Sequence, residues 1–145
     1  MAIQGVLLVG VFLAGLTETP FSGDAWTLLS IAGAILMVAG GGIAVLGVRS
    51  LGRGLTALPH PNASGELVDS GVYRLVRHPI YSGIIAAALG YGLVMHALVT
   101  AVVGTLVLLA FFTAKSAREE VWLERRYPGY PAYRARTKRI IPFIF

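Results

Sequence analysis

Apolar residues run along this chain in long unbroken blocks, without the alternation of half-buried strands or the striping of amphipathic helices. No charge appears in the 24 residues from Ala25 to Val48, and Ile80 to Thr113 forms a second uncharged block of 34. A helix needs roughly 20 apolar residues, range ~17–25, to cross the hydrocarbon core of a bilayer. The first block therefore predicts one span. The second is too long for one and predicts two short spans folded at Met95–His96. Ala2 to Leu16 is apolar but short, and is expected to cross by thinning the bilayer locally. A cleaved signal peptide is the competing reading; it is disfavoured because the segment has no basic n-region and no small-x-small cleavage site. The expected fold is one domain, residues 1–145, of an all-α integral membrane protein. It has about four transmembrane helices, at 2–16, 25–48, 80–95 and 97–113, and a tail over 114–145.

Composition supports this reading. Of the 145 residues 56% are hydrophobic and 13% charged, and the mean hydropathy is +0.74, outside the range of ordinary soluble domains. The absence of cysteine excludes a disulfide framework, a thiolate nucleophile and a Cys-type zinc site, and no metal-ligand cluster is read elsewhere. The net charge of +5 is placed unevenly. All 12 Lys and Arg residues lie in two segments, four in Arg49–His78 and eight in Ala114–Phe145. Four spans put both segments on one side, and the positive-inside rule makes that side cytoplasmic. Such placement points to a membrane surface and membrane lipids as partners, not to nucleic acid.

Within the second span Gly33, Gly40 and Gly47 recur every seven residues, and Gly40–Ala44 and Ala86–Gly90 have small-xxx-small spacing. Small residues let helix backbones approach closely in lipid, so these positions predict packing seams. The Arg49–Arg74 connection, with Pro59, Pro61, Gly65 and Gly71, is expected to fold as an ordered loop.

The polar chemistry sits at two places. Pro79 suits a first helical turn, where its missing N–H costs nothing, and the residue before a proline is biased away from helix. The third span is therefore expected to start at Pro79, with Arg74, Arg77 and His78 just ahead of it. The positive end of that helix adds to the arginines and favours an anion there, although from charge alone snorkelling of Arg74 and Arg77 to phospholipid headgroups is the favoured reading. The fourth span is expected to continue as helix to Arg126, before Pro128 and Gly129. Glu119 and Glu120 then lie one to two turns beyond the hydrocarbon edge. Lys115–Glu119 forms a favourable i,i+4 pair, while Glu120 and Glu124 repel at the same spacing, so the run is not arranged for helix stability alone. Tyr127, Tyr130 and Tyr133 follow at three-residue steps, as interfacial anchors or as a stacking surface.

The stretch "SGVYRLVRHPIYSG" followed by "EEVWLERRYPGYPAYRARTKRIIP" closely resembles the isoprenylcysteine carboxyl methyltransferase family, whose wider group includes the phospholipid N-methyltransferases. The resemblance runs over roughly Leu67 to Pro142. It rests on Arg77, His78, Pro79, Tyr81 and Gly83, on the Glu119–Glu120 pair, on Tyr130 and Tyr133, and on Pro142. It implies S-adenosylmethionine held by a C-terminal cofactor-binding segment at the cytoplasmic ends of the last helices. In keeping with this, no G-x-G-x-x-G opens a βαβ unit.

By this resemblance His78, Pro79, Tyr81, Gly83, Glu119 and Glu120 bind the cofactor. Arg77, Tyr130 and Tyr133 face a lipid-like or amphiphilic acceptor, and Arg77, Arg74 and Glu120 are the catalytic candidates. An ionised carboxylate acceptor needs only a cation to orient it. An amine or thiol needs a base, for which His78 or a glutamate is at hand. The chain is shorter than eukaryotic members, which bears on the prenyl-binding part more than on the reaction. The alternatives are an NADPH-dependent membrane reductase of the sterol-reductase type and a non-enzymatic lipid-binding scaffold. A transporter is disfavoured because no span holds an acid or a base. Nothing in the pattern fixes the oligomeric state.

Overall fold

The computed structural model describes residues 2–20, 26–51, 67–142 and 144. Every regular element among them is helical: α1 (Ala2–Thr17), α2 (Trp26–Leu51), a 3₁₀ turn (Gly71–Arg74), α3 (Pro79–Val94), a π-helical turn (Thr100–Gly104) running into α4 (Thr105–Arg126), and α5 (Tyr130–Arg136). No strand occurs among the described residues; a lone parallel bridge joins Val76 to Lys138. Two helices are long and apolar enough to cross a membrane, Trp26–Leu51 and the continuous Thr100–Arg126, while α1 and α3 are shorter apolar helices. Large apolar side chains are turned outward, among them Val6 and Val38, which are 70% and 75% exposed. Apolar surface on that scale is what lipid, not water, accommodates. The expected start of span two at Ala25 and the ordered-loop reading of Pro59, Pro61 and Gly65 lie outside the described residues.

The chain divides into two compact units. The first comprises Met1–Gly42 and Gly83–Ala110, and its seam is glycine. A Cβ on Gly33 would stand 2.7 Å from the Gly90 carbonyl oxygen, one on Gly40 2.6 Å from that of Gly83, and one on Gly90 2.4 Å from that of Gly33. Two of the three heptad-spaced glycines thus let α2 and α3 touch backbone to backbone. Gly41 and Gly42, by contrast, face open space. The turn between α3 and the next helix falls at His96, as expected, with a left-handed φ of 55°. Its ring stacks on Trp26 at 5.1 Å and is hydrogen-bonded through Nε2 to Ser30 Oγ at 2.8 Å.

Just past α1, the Glu18 carboxylate accepts from Val99 N, Thr100 N and Thr100 Oγ1 at 2.8–3.0 Å. It thereby satisfies backbone donors that a helix start leaves without intrahelical partners. The backbone bond from Val99 is the main reason the Glu18 carboxyl is held below its ordinary range. The sequence pattern had not pointed to the π-helical turn that follows.

The second unit comprises Ile43–Ser82 and Phe111–Phe145. Its core is a tyrosine cluster, Tyr73, Tyr130 and Tyr133, packed against Leu51, Leu67, Val68, Val72, Leu123 and Tyr127. Tyr133 donates to the Tyr73 carbonyl at 2.8 Å. Gly47, third of the heptad glycines, meets Ile80 and Pro79 here. Burial overturns the interfacial-anchor reading for Tyr130 and Tyr133, which are 1% and 3% exposed. Their rings close a core, and burial pushes both hydroxyls well above the usual phenol range.

Forcing the seam open should be costly. Overpacking a tight contact costs about 1–3 kcal/mol, so Gly90→Val is expected to lower stability by that amount in thermal unfolding in detergent. Gly41→Ala, whose new methyl meets nothing and which replaces glycine by a better helix former, is expected to unfold at or slightly above the wild-type temperature.

Candidate functional site

In the second unit the residues just ahead of α3, the last turns of α4 and the tail after α5 are tied together. The backbone of the pre-helical segment pairs with the tail: Arg77 N donates to Lys138 O at 2.8 Å and His78 N to Arg139 O at 3.0 Å. One turn on, Ser82 Oγ donates to Ile140 O. His78 does not enter the helix because Pro79 follows it, which frees its N–H for this pairing.

Glu120 stands at the centre. Its side chain is 3% exposed and receives Arg77 Nε at 2.8 Å and Arg139 Nη2 at 3.1 Å, with Arg139 Nε at 3.3 Å. His78 Nε2 lies 3.4 Å from Glu120 Oε1 but lacks hydrogen-bond geometry, and has no hydrogen-bond partner among the described residues. Burial by itself raises the Glu120 pKa. The His78 ring and the Arg77 and Arg139 guanidiniums more than offset this and hold the carboxyl at about 2, below its ordinary 4.5. Arg77 also donates from Nη1 to the carbonyls of Arg134 and Thr137, so one guanidinium links α4, α5 and the tail.

Glu119, the next residue, is held quite differently. Tyr81 donates its hydroxyl to both carboxylate oxygens at 2.7 and 2.8 Å. Lys115 Nζ stands 3.9 Å away and 5.0 Å from the centre of the Tyr81 ring. That ring stacks with His78 at 5.4 Å, the two planes nearly parallel, and with Phe112 at 4.5 Å. His78 Nδ1 reaches to 3.7 Å from Glu119. The arrangement presents an acceptor-only carboxylate beside an aromatic face, with a buried ring nitrogen lacking a hydrogen-bond partner close by.

Of the residues singled out in the sequence, Arg77, His78, Tyr81, Glu119 and Glu120 are brought together. Pro79 is fully buried at the start of α3. Tyr130 lies in the tyrosine core, its hydroxyl without a hydrogen-bond partner among the described residues, and Tyr133 spends its hydroxyl on Tyr73. Gly83 belongs to the first unit, where its carbonyl meets Gly40. Arg74 ends the 3₁₀ turn exposed and joins no ion pair among the described residues. Sequence reading missed Arg139 and Lys115. Arg139 sits in a basic run whose charge alone does not say which member turns inward, whereas Lys115 was legible as the i,i+4 partner of Glu119 and was set down as helix stabilisation.

Apolar helices with a buried acid–base cluster beyond their apolar lengths define an all-helical protein of membrane type. Its fold is that of a solved eukaryotic intramembrane Ras methyltransferase, isoprenylcysteine carboxyl methyltransferase. The two superpose with a TM-score of 0.79 at 20% identity, over 99% of this chain and 53% of the other. The family model for phospholipid methyltransferase matches residues 28–129, and the chain belongs to that family.

Relatives include a probable protein-S-isoprenylcysteine O-methyltransferase of Oryza sativa subsp. indica, 34% identical over 120 residues, which are 80% of this chain and 62% of the relative. Another is the protein-S-isoprenylcysteine O-methyltransferase of Schizosaccharomyces pombe, 35% identical over 84 residues, 57% of this chain and 36% of the relative. The chain thus spans less than two thirds of the length of these relatives.

Removing one partner of a buried ion pair costs about 3–5 kcal/mol, and Glu120→Gln is expected to lose that much in denaturant unfolding in detergent. Because the Glu120 pKa is depressed on folding, its contribution is complete above pH 4.5 and drains away as pH falls from 4.5 towards 2. The wild type is expected to lose stability over that window, and Glu120→Gln to show a flatter acid limb there.

Proposed function

We propose that this chain is an S-adenosylmethionine-dependent methyltransferase. It methylates a lipid-like or amphiphilic acceptor at the cytoplasmic membrane face, by carboxyl O-methylation of the isoprenylcysteine type. In this reading all four apolar helices cross the membrane, and the 49–78 loop and the tail are cytoplasmic, as the placement of Lys and Arg requires. The observation that carries the reaction is the meeting of His78 and Tyr81 with the Glu119–Glu120 pair in one largely buried cluster. The names of the relatives, protein-S-isoprenylcysteine O-methyltransferases, support it; the reductase and scaffold alternatives draw no such support.

The residues fit the cofactor. A ligand carrying an ammonium, ribose hydroxyls and a purine ring calls for a carboxylate acceptor, an aromatic face and a polar group able to accept or donate. Glu119 supplies the carboxylate, the stacked set of His78, Tyr81 and Phe112 the aromatic surface, and the His78 nitrogen without a hydrogen-bond partner the polar group. When bound, S-adenosylmethionine supplies a methyl group already activated on a sulfonium. The protein's own task is alignment and exclusion of water. A carboxylate acceptor needs no base. Arg77 is placed to orient it, since its Nη2 has no hydrogen-bond partner among the described residues while Nε and Nη1 fix the guanidinium plane. Glu120 acts by holding Arg77 in that plane.

The test separates the two glutamates. Isothermal titration with S-adenosylhomocysteine in detergent should show binding by the wild type; absence of binding by folded protein sinks the assignment. Loss of a charged hydrogen-bond acceptor weakens binding by about 1.5–3 kcal/mol, so Glu119→Gln should bind roughly 10- to 100-fold more weakly while keeping its unfolding temperature. Incubation with labelled S-adenosylmethionine and a prenylcysteine acceptor should then yield a labelled ester that base hydrolyses.

A further inference from the structure

A cavity of about 360 Å³ opens in the second unit among Arg77, Arg134, Arg136, Lys138 and Arg139, with Ile144 on its wall. Arg77 is set aside, since the proposed reaction uses it. Of the four remaining cations three are matched by acids: Arg134 by Glu124, Arg136 by Asp69 and Arg139 by Glu120. Lys138 is exposed and its ammonium has no described partner, while its backbone is pinned by the bridge to Val76. Glu120 is shared with Arg77, so among the described residues the five cations lining the cavity meet three acids, and Lys138 is the one with no acid beside it. Guanidinium and ammonium groups so gathered suit an oxyanion of the phosphate kind.

Ile144 adds the second part of the argument. It is 75% exposed on a wall that also carries Ala135 and Thr137 beside the cations, so a ligand anionic at one end and apolar beside it matches the lining. We propose that this cavity binds the phosphodiester of an anionic phospholipid headgroup, with Lys138 as the cation that answers its charge. The cavity shares Arg77 and Arg139 with the cluster read as the methyl-transfer site, but the lipid proposal does not rest on that reading. Lys138 lies outside the Glu119–Glu120 cluster, and the proposed test needs no cofactor.

Native mass spectrometry of the detergent-purified full chain provides the test, with phosphatidylglycerol and phosphatidylcholine offered at equal concentration and S-adenosylmethionine absent. One phosphatidylglycerol is expected to bind in preference to phosphatidylcholine. A basic residue near an anionic headgroup contributes about 1 kcal/mol, so Lys138→Gln should weaken that binding about fivefold. Lys138→Arg should restore it. Arg125→Gln, a neutralised exposed cation outside the cavity, should bind as the wild type does.

Lys138 is exposed and its side chain makes no hydrogen bond or ion pair among the described residues, so its variants test the site without disturbing the fold. Equal binding of the two lipids, wild-type affinity in Lys138→Gln, or an equal loss in Arg125→Gln would overturn the proposal. Inorganic phosphate is the second arm. If phosphate alone, at matched ionic strength, raises the unfolding temperature through Lys138 while phosphatidylglycerol does not bind, the site is one for free phosphate and the lipid assignment fails.

Discussion

A buried carboxylate holds the second unit together. Glu120 is placed where a charge is expensive to keep, and it remains ionised only because two guanidiniums and an imidazole surround it. That constraint works in both directions. Arg77 and Arg139 are themselves largely buried, and without the carboxylate they would be two like charges facing each other. Because Arg77 also reaches the carbonyls of Arg134 and Thr137, one guanidinium fixes where α5 ends and where the tail begins. The backbone bonds from Arg77 and His78 to Lys138 and Arg139 then follow at low entropic cost, since both partners are already confined.

How much of this could be read from the chain depends on whether a feature is local. The start of α3 at Pro79 and the end of α4 at Arg126 were legible because proline acts on its own neighbours. The turn at His96 was legible because 34 uncharged residues exceed one bilayer thickness. The heptad glycines were legible as a seam, although which partner each meets is a property of the pair of helices. The resemblance brought Arg77, His78, Tyr81, Glu119 and Glu120 forward together, and the fold places those five in one cluster.

Other features were not local, and there the reading fell short. Arg74 and Arg77 look alike in sequence, three residues apart. The 3₁₀ turn ends on Arg74, leaving it at the surface, while Arg77 is carried inward beside the tail. Tyr130 and Tyr133 have the spacing of interfacial anchors, yet the short α5 turns both towards Tyr73 and buries them. Arg139 was invisible for the converse reason. It is one of eight cations in a strongly basic segment, and only the pairing of His78 N with its carbonyl selects it to face Glu120.

The adjacent glutamates show why such pairing matters for chemistry. On a helix, neighbours point about 100° apart, so Glu119 and Glu120 cannot share one environment. Glu120 is directed into the arginines, where its charge is neutralised and its oxygens are occupied. Glu119 meets a tyrosine hydroxyl, with the His78 ring and a lysine at the edge of ion-pair range, partners that a ligand can replace without stranding a buried charge. A doubled acid therefore supports two distinct tasks from one turn of helix: one residue keeps the cluster rigid, and its neighbour is left with oxygens to offer. The stacked rings of His78, Tyr81 and Phe112 reinforce that division, since they fix the Tyr81 hydroxyl over Glu119 and not over Glu120.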